Sequence, residues 1–285
     1  MTQASDRVRN DAGTPVADVD PVYFGRDGAP LFGCFHPAQA PVREGSALVI
    51  CQPFGQEYIR CHRLLRVLAA SLARSGLPVL RFDYYGCGDS RGDGEEATLA
   101  RCVADVGEAI RFVRGRARAT SVDLLGLRLG AAIAIGHAAG HHGQIGRMVL
   151  WDPVVRGEDF LASMRAQSTR FEKWMEGAFG RPARPDESEG PRDFIGFRMS
   201  EGLIDELRAL DLLQVGQKPC RRALVLDNGD DPAANALRDR LDGIGVGVDL
   251  ERRSSPRIWL AEPYQGLVPR DSLELVSRWL LESPG

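Results

Sequence analysis

Five histidines occur in this 285-residue chain, at positions 36, 62, 137, 141 and 142, and none follows residue 142. Chemistry that draws an imidazole from the second half of the chain is therefore excluded. Long apolar runs are also missing: the longest are strand-sized, short of the roughly 18 residues a membrane span needs. The opening segment carries Arg7, Arg9, Asp11, Asp18 and Asp20 and no apolar core, so no secretory signal is expected and a cytoplasmic location is. The six cysteines (34, 51, 61, 87, 102 and 220) form no C-x-x-C pair. They read as free thiols rather than a disulfide framework or a zinc site, and neither metal nor cofactor is expected. A net charge of −3 does not point to nucleic acid or an anionic membrane as the main partner. There is no internal repeat.

What remains is ordinary for a globular enzyme, 44% hydrophobic and 26% charged, and long enough for one large α/β domain with or without an inserted lid. Residues 1–18 are polar and expected to be a disordered lead-in. Val22–Phe24 and Leu31–His36, separated by Gly-Arg-Asp-Gly-Ala-Pro, predict an antiparallel hairpin. Ala47–Cys51, Pro78–Phe82, 121–126 and 147–151 read as strands, and the continuous apolar runs among them suit burial on both faces. Helical spacing occupies Arg60–Ser75, about 97–116, and 128–140. This alternation predicts a mostly parallel sheet with crossover helices. It breaks at Val155–Leu210, where Phe160, Met164, Phe171, Trp174, Met175 and Phe179 predict a helical lid. Strands resume at Arg222–Leu226 and around Val246–Leu250, before a terminal amphipathic helix. The expected division is 19–154 and 211–285 for the core and 155–210 for the lid.

Residues 122–132, Val-Asp-Leu-Leu-Gly-Leu-Arg-Leu-Gly-Ala-Ala, carry the chemistry. A strand, a turn bounded by Gly126 and Gly130, and a small-residue helix start make the G-x-S-x-G nucleophile-elbow pattern with Arg128 at its centre. With Gln52-Pro53-Phe54-Gly55-Gln56-Glu57 and Arg81-Phe82-Asp83-Tyr84-Tyr85-Gly86-Cys87-Gly88-Asp89-Ser90, this segment resembles the α/β-hydrolase superfamily over nearly the whole chain from residue 20. Within it the likeness is to the serine-aminopeptidase-like branch and, inside that, to exosortase-A-system-associated hydrolases.

The resemblance implies a serine, an acid and a late histidine, in that chain order. Here arginine replaces the serine, and the histidine slot falls in Ala261–Gly266, where Glu262 or Gln265 stands. The acid slot is filled by Asp227, Asp230 or Asp231. Backbone N–H groups at Leu129 and at Phe54 or Gly55 are placed for an oxyanion hole at a helix start. Arg128 adds a planar cationic fork suited to carboxylate or phosphate. Either it binds an anion or polarises a carbonyl, or it pairs with Glu57, Asp83 or Asp230/Asp231 and closes a dead site.

Other candidates have plainer readings. Ser90 is expected to bond local backbone, while Cys87 needs an activating neighbour. His62 beside Cys61 reads as a helix start, and His141-His142 as a helix end. Met164, Phe171, Trp174 and Phe197 are the candidates for an apolar lid pocket. Three functions stay open: non-covalent action on an acyl, ester or thioester compound in a biosynthetic pathway; a catalytically silent homologue binding an anionic or acyl ligand or a partner protein; and a residual esterase or thioesterase using Cys87 or an unrecognised base.

Overall fold

The computed structural model describes residues 19–41, 45–141, 143–180, 192–229, 231–261 and 267–282. The hairpin expected near the start forms from β1 (Asp20–Arg26) and β2 (Ala29–His36), paired antiparallel through a tight two-residue turn. Strands β3 (Ser46–Cys51), β4 (Val79–Phe82), β5 (Ser121–Leu127) and β6 (Ile145–Trp151) follow, separated by helices α1 (Gln56–Arg74), α2 (Leu99–Ala117) and α3 (Leu129–Gly140). After β6 the chain leaves the sheet as α4 (Gly157–Phe179), a small hairpin of β7 (Arg192–Phe194) and β8 (Phe197–Met199), and α5 (Glu201–Ala209). It returns as β9 (Arg222–Asp227), α6 (Pro232–Gly243), β10 (Gly247–Arg252) and α7 (Arg270–Leu281). The main sheet has eight strands in the order β1-β2-β4-β3-β5-β6-β9-β10, with β2 antiparallel to β4 and every pair from β4 to β10 parallel.

Side chains that alternate along each strand divide the core into two layers. Ala47, Val49 and Cys51 of β3 join the layer under α2 and α3, whereas Leu48 and Ile50 join the layer under α1 and α7. The same split separates Ala223 and Val225 from Leu224 and Leu226 in β9. Both faces are thus covered, which is why these strands read as unbroken apolar runs rather than as alternating ones.

The excursion between β6 and β9 departs and returns at one neck. Arg156 and Asp211 form a single antiparallel bridge, flanked by Gly157 N–H donating to Leu210 O and Leu212 N–H to Val155 O. Gly157 is required there, since a Cβ would lie 1.7 Å from Leu207 O. Among the described residues, no helix is long and apolar enough to cross a membrane.

Candidate active site

The elbow is built by close backbone approach. A Cβ on Gly130 would lie 2.0 Å from Cys51 O and 2.6 Å from Gln52 O, and one on Gly126 would lie 2.3 Å from the Ala131 Cα. Only residues without a side chain let α3 sit this tightly against β3 and β5. The turn between them forces Arg128 to φ 56° and ψ −123°, a left-handed conformation that non-glycine residues rarely adopt. Backbone bonds hold it there: Arg128 N–H donates to Trp151 O at 3.0 Å, and Arg128 O accepts from Ala131 N–H at 3.0 Å and Val154 N–H at 3.3 Å.

The guanidinium is held on three sides. Its Nε lies 3.2 and 3.3 Å from the two Glu57 carboxylate oxygens, and Nη1 donates to Asp152 O at 3.1 Å. The Trp259 ring lies against its face, 5.1 Å from the central carbon to the ring centroid. Of the acids that could have partnered Arg128, the structure thus brings Glu57 to it. Glu57 sits in the first turn of α1, where the helix dipole favours a carboxylate. Burial nonetheless raises its pKa above the ordinary range, with the Arg128 charge opposing that shift. Nη2 has no hydrogen-bond partner among the described residues. Arg128 lines a cavity of about 400 Å³ together with Asp152, Arg156, Asp227, Arg257 and Trp259.

Asp152 also lines this cavity, and no sequence motif singles it out. It follows β6 at φ 41°, and its two carboxylate oxygens accept from Asn228 N–H and Asn228 Nδ2, both at 2.9 Å. Burial pushes its pKa up to about 7 against the opposing effects of the Asn228 bond and the Arg128 charge. Asn228 is itself held by Ser272 Oγ at 3.2 Å, which in turn lies 3.0 Å from Ser255 Oγ. The one signal in the sequence is an acid directly after a buried strand that ends beside the elbow.

The acid slot after β9 is structural in form. Asp227 accepts from Gly229 N–H and Asp231 N–H, closing the turn, and Asp231 caps α6 by accepting from Ala233 N–H ahead of Pro232. Both still line the elbow cavity. Asp230, Glu262, Gln265 and His142 lie outside the described residues.

A second cavity of about 510 Å³ opens on the other side of the loop after β3 and is lined by Phe54, Gly55, Tyr58, Tyr84, Cys87 and Phe197, among others. Gly55 adopts φ 63°, and a Cβ there would meet Phe197 and Met164 at ordinary contact distance, so these two residues of the excursion between β6 and β9 do reach the loop. Phe171 and Trp174 do not. They are 41% and 58% exposed and line neither cavity. Leu129, the first residue of α3, is buried, and its N–H has no intrahelical acceptor.

Burial pushes the Cys87 thiol up to about 12, which disfavours the thiolate that nucleophilic attack needs. Ser90 Oγ donates to Asp83 O at 2.6 Å and accepts from Phe32 N–H at 2.8 Å, as a local brace would. Asp83 belongs to the same brace, accepting from Gln52, Tyr58 and the Asp89 N–H. His141 stacks on His137 at 4.2 Å, and no histidine lines either cavity among the described residues. Nor do these residues gather three His, Cys, Asp or Glu side chains in metal-binding geometry.

A family model described as serine aminopeptidase, S33, matches residues 47–185, from β3 to just beyond α4. Solved structures resemble the chain along almost its whole length. Est1E from Butyrivibrio proteoclasticus with bound ferulic acid superposes with a TM-score of 0.63 at 15% identity, covering 91% of this chain and 98% of its own. This chain has the α/β-hydrolase fold. The esterase Pf2001 of Pyrococcus furiosus gives a TM-score of 0.63 at 13% identity, covering 92% of this chain and 90% of its own. Mouse alpha/beta hydrolase domain-containing protein 10 gives 0.56 at 16%, covering 92% and 96%. No curated protein matches the sequence. Arg128 stands in the strand-to-helix turn after β5, at the centre of the glycine-bounded pattern Gly126–Gly130.

Proposed function

We propose that this α/β-hydrolase-fold protein takes a small acyl, ester or thioester compound, or the carboxylate derived from one, into its elbow cavity and handles it without an acyl-enzyme. The observation that carries this reading is Arg128 itself. It occupies the nucleophile turn, is anchored through Nε and Nη1, and lines the cavity with Nη2 unsatisfied by the described residues. A guanidinium edge beside the first N–H of α3 is a fixed electrostatic partner for a carboxylate or a polarised carbonyl oxygen. Ferulic acid in the Est1E structure supports a carboxylic acid as a ligand of this architecture. The likeness of the Arg128 elbow to exosortase-associated hydrolases supports a biosynthetic role. The Glu57 pair and the Trp259 ring over the same guanidinium also support a second reading, a site that binds without turnover.

Ferulate and octanoate binding, measured calorimetrically on the wild type and on Arg128→Gln, tests the proposal. Loss of one charge-assisted contact predicts roughly tenfold or more weaker binding in the variant. Unchanged affinity overturns the role of Arg128. A serine-directed fluorophosphonate should leave the protein unlabelled, and stoichiometric labelling would overturn the absence of an acyl-enzyme.

A further inference from the structure

We propose that Asp152 is the general base of the elbow cavity, taking a proton from a water molecule whose oxygen attacks the carbonyl carbon of a bound ester or thioester. The inference rests on the reading of that cavity as the acyl site. A new C–O bond forms to the water oxygen, and the carbonyl π pair moves to the oxygen, which Arg128 Nη2 holds. Collapse breaks the C–O or C–S bond to the leaving group, which takes the proton back from Asp152. The products are a carboxylic acid and an alcohol or thiol, and the aspartate is restored.

Three observations converge on Asp152. It directly follows β6, its own backbone O accepts from Arg128 Nη1, and it lines the same cavity. It forms no ion pair among the described residues, because the charge of Arg128 is taken by Glu57. Its two oxygens accept only N–H donors of Asn228, so a proton gained by the carboxyl has to occupy a lone pair that Asn228 does not use. The charged and titratable groups around it are Arg128 at the elbow, Asp227 at the end of β9, Arg257 after β10 and the Cys61 thiol of α1. Their opposed effects leave burial dominant and the group poised near neutrality, where a general base is most effective. A carboxyl that only tied β6 to the β9 turn would need none of this access to the cavity.

The test uses p-nitrophenyl acetate and butyrate with the full chain. Wild-type kcat/KM should rise with pH through about 7 and survive fluorophosphonate treatment. Asp152→Asn and Asp152→Ala should lower it by about 100-fold or more and flatten the pH profile, with circular dichroism unchanged. Formate should restore part of the turnover of Asp152→Ala by supplying the missing carboxylate. Wild-type-like turnover in both variants, failure of formate to rescue, or absence of turnover in the wild type overturns the assignment. Unchanged, Arg128-dependent ferulate binding in those cases leaves the binding reading standing. Inactivation by the fluorophosphonate overturns both.

Discussion

Replacing Arg128 with alanine strips the buried Glu57 carboxylate of the guanidinium that pairs with it. Glu57 is 3% exposed at its side chain and Arg128 17%, so the pair is largely removed from water. Breaking a buried pair by deleting one partner costs about 3–5 kcal/mol. The partial exposure of Arg128 and the helix start under Glu57 reduce that to about 2–4 kcal/mol at neutral pH. Glycine at the same position should cost about 1 kcal/mol less than alanine, because it tolerates φ 56°. The pH dependence has a definite sign. Burial already raises the Glu57 pKa, and removing Arg128 raises it further, since Arg128 opposes the shift. A carboxyl with a raised pKa binds more protons in the folded state, so stability falls as pH climbs from the ordinary carboxylate range towards the raised value. Arg128 also opposes the Asp152 shift, so Asp152 adds to the effect in the same direction. Urea midpoints of wild type and Arg128→Ala at about pH 5 and about pH 8 measure this, and the deficit should be the smaller at the acid end. Adding Glu57→Gln should recover stability in the variant. A deficit that is equal at both pH values, or one that Glu57→Gln fails to reduce, would refute the reasoning.

Gly130→Ala forces a Cβ to 2.0 Å from Cys51 O; a cost of about 3 kcal/mol or more is expected, read as a collapse in melting temperature or soluble yield. Gly115, where an added Cβ would meet nothing within 4 Å, is the control: alanine there should stabilise α2 by about 0.5–1 kcal/mol. Arg147 pairs with buried Asp123 at 2.8 Å and donates to Trp279 O, Leu280 O and Glu282 O at the end of α7. Arg147→Ala should cost about 3–5 kcal/mol and speed hydrogen exchange across 270–281; unchanged protection of α7 would count against the capping role. His36 Nε2 accepts from Arg81 Nε at 3.2 Å, and burial lowers its pKa to about 4, with the Arg81 and Arg66 charges adding to the shift. The unfolded chain takes up this proton first, so stability should fall as pH drops from about 6.5 to about 4. An imidazole resonance titrating near 6.5 in the folded protein would contradict that.

The sheet is legible in the sequence because burial on both faces writes itself as unbroken apolar runs, and the apolar runs match β3, β5 and β6 closely at their ends. Helix α1 begins at Gln56, not near Arg60, since its first turn is polar and carries Glu57 for electrostatic rather than packing reasons. The β7–β8 hairpin, with three residues to a strand, is too short for periodicity to reveal. At the site, the elbow and the loop after β3 are visible as glycine-spaced motifs, and the pairing of Arg128 with Glu57 is among the alternatives the sequence leaves open. Asp152 is invisible as a role because no spacing rule links the end of β6 to the end of β5. Only the parallel register, with Leu127 opposite Trp151, brings them side by side. The lid aromatics show the converse. Helical spacing puts Phe171 beside Trp174, 5.9 Å apart, but spacing does not say which way the shared face points, and here it points to solvent.

The elbow conformation does not depend on the side chain that occupies it. Gly126 and Gly130 fix the approach of α3 to the sheet, and the bonds from Arg128 N–H to Trp151 O and from Val154 N–H to Arg128 O close the turn. A left-handed non-glycine residue costs about 1–3 kcal/mol, and that strain is held by the packing of two flanking glycines against backbone. Whatever stands at 128 is therefore aimed at the cavity rim, as a nucleophile would be. For a short hydroxyl this geometry would be useless without a nearby base. For arginine it is sufficient, since a guanidinium needs no activation and is charged at every physiological pH. What it does need is a counter-charge to enter a half-buried site, and Glu57 provides it from the first turn of α1, directly after the loop that carries Phe54 and Gly55. The α1 start and the carboxyl after β6 are thus joined through Arg128, so removing its charge should raise the pKa of both Glu57 and Asp152.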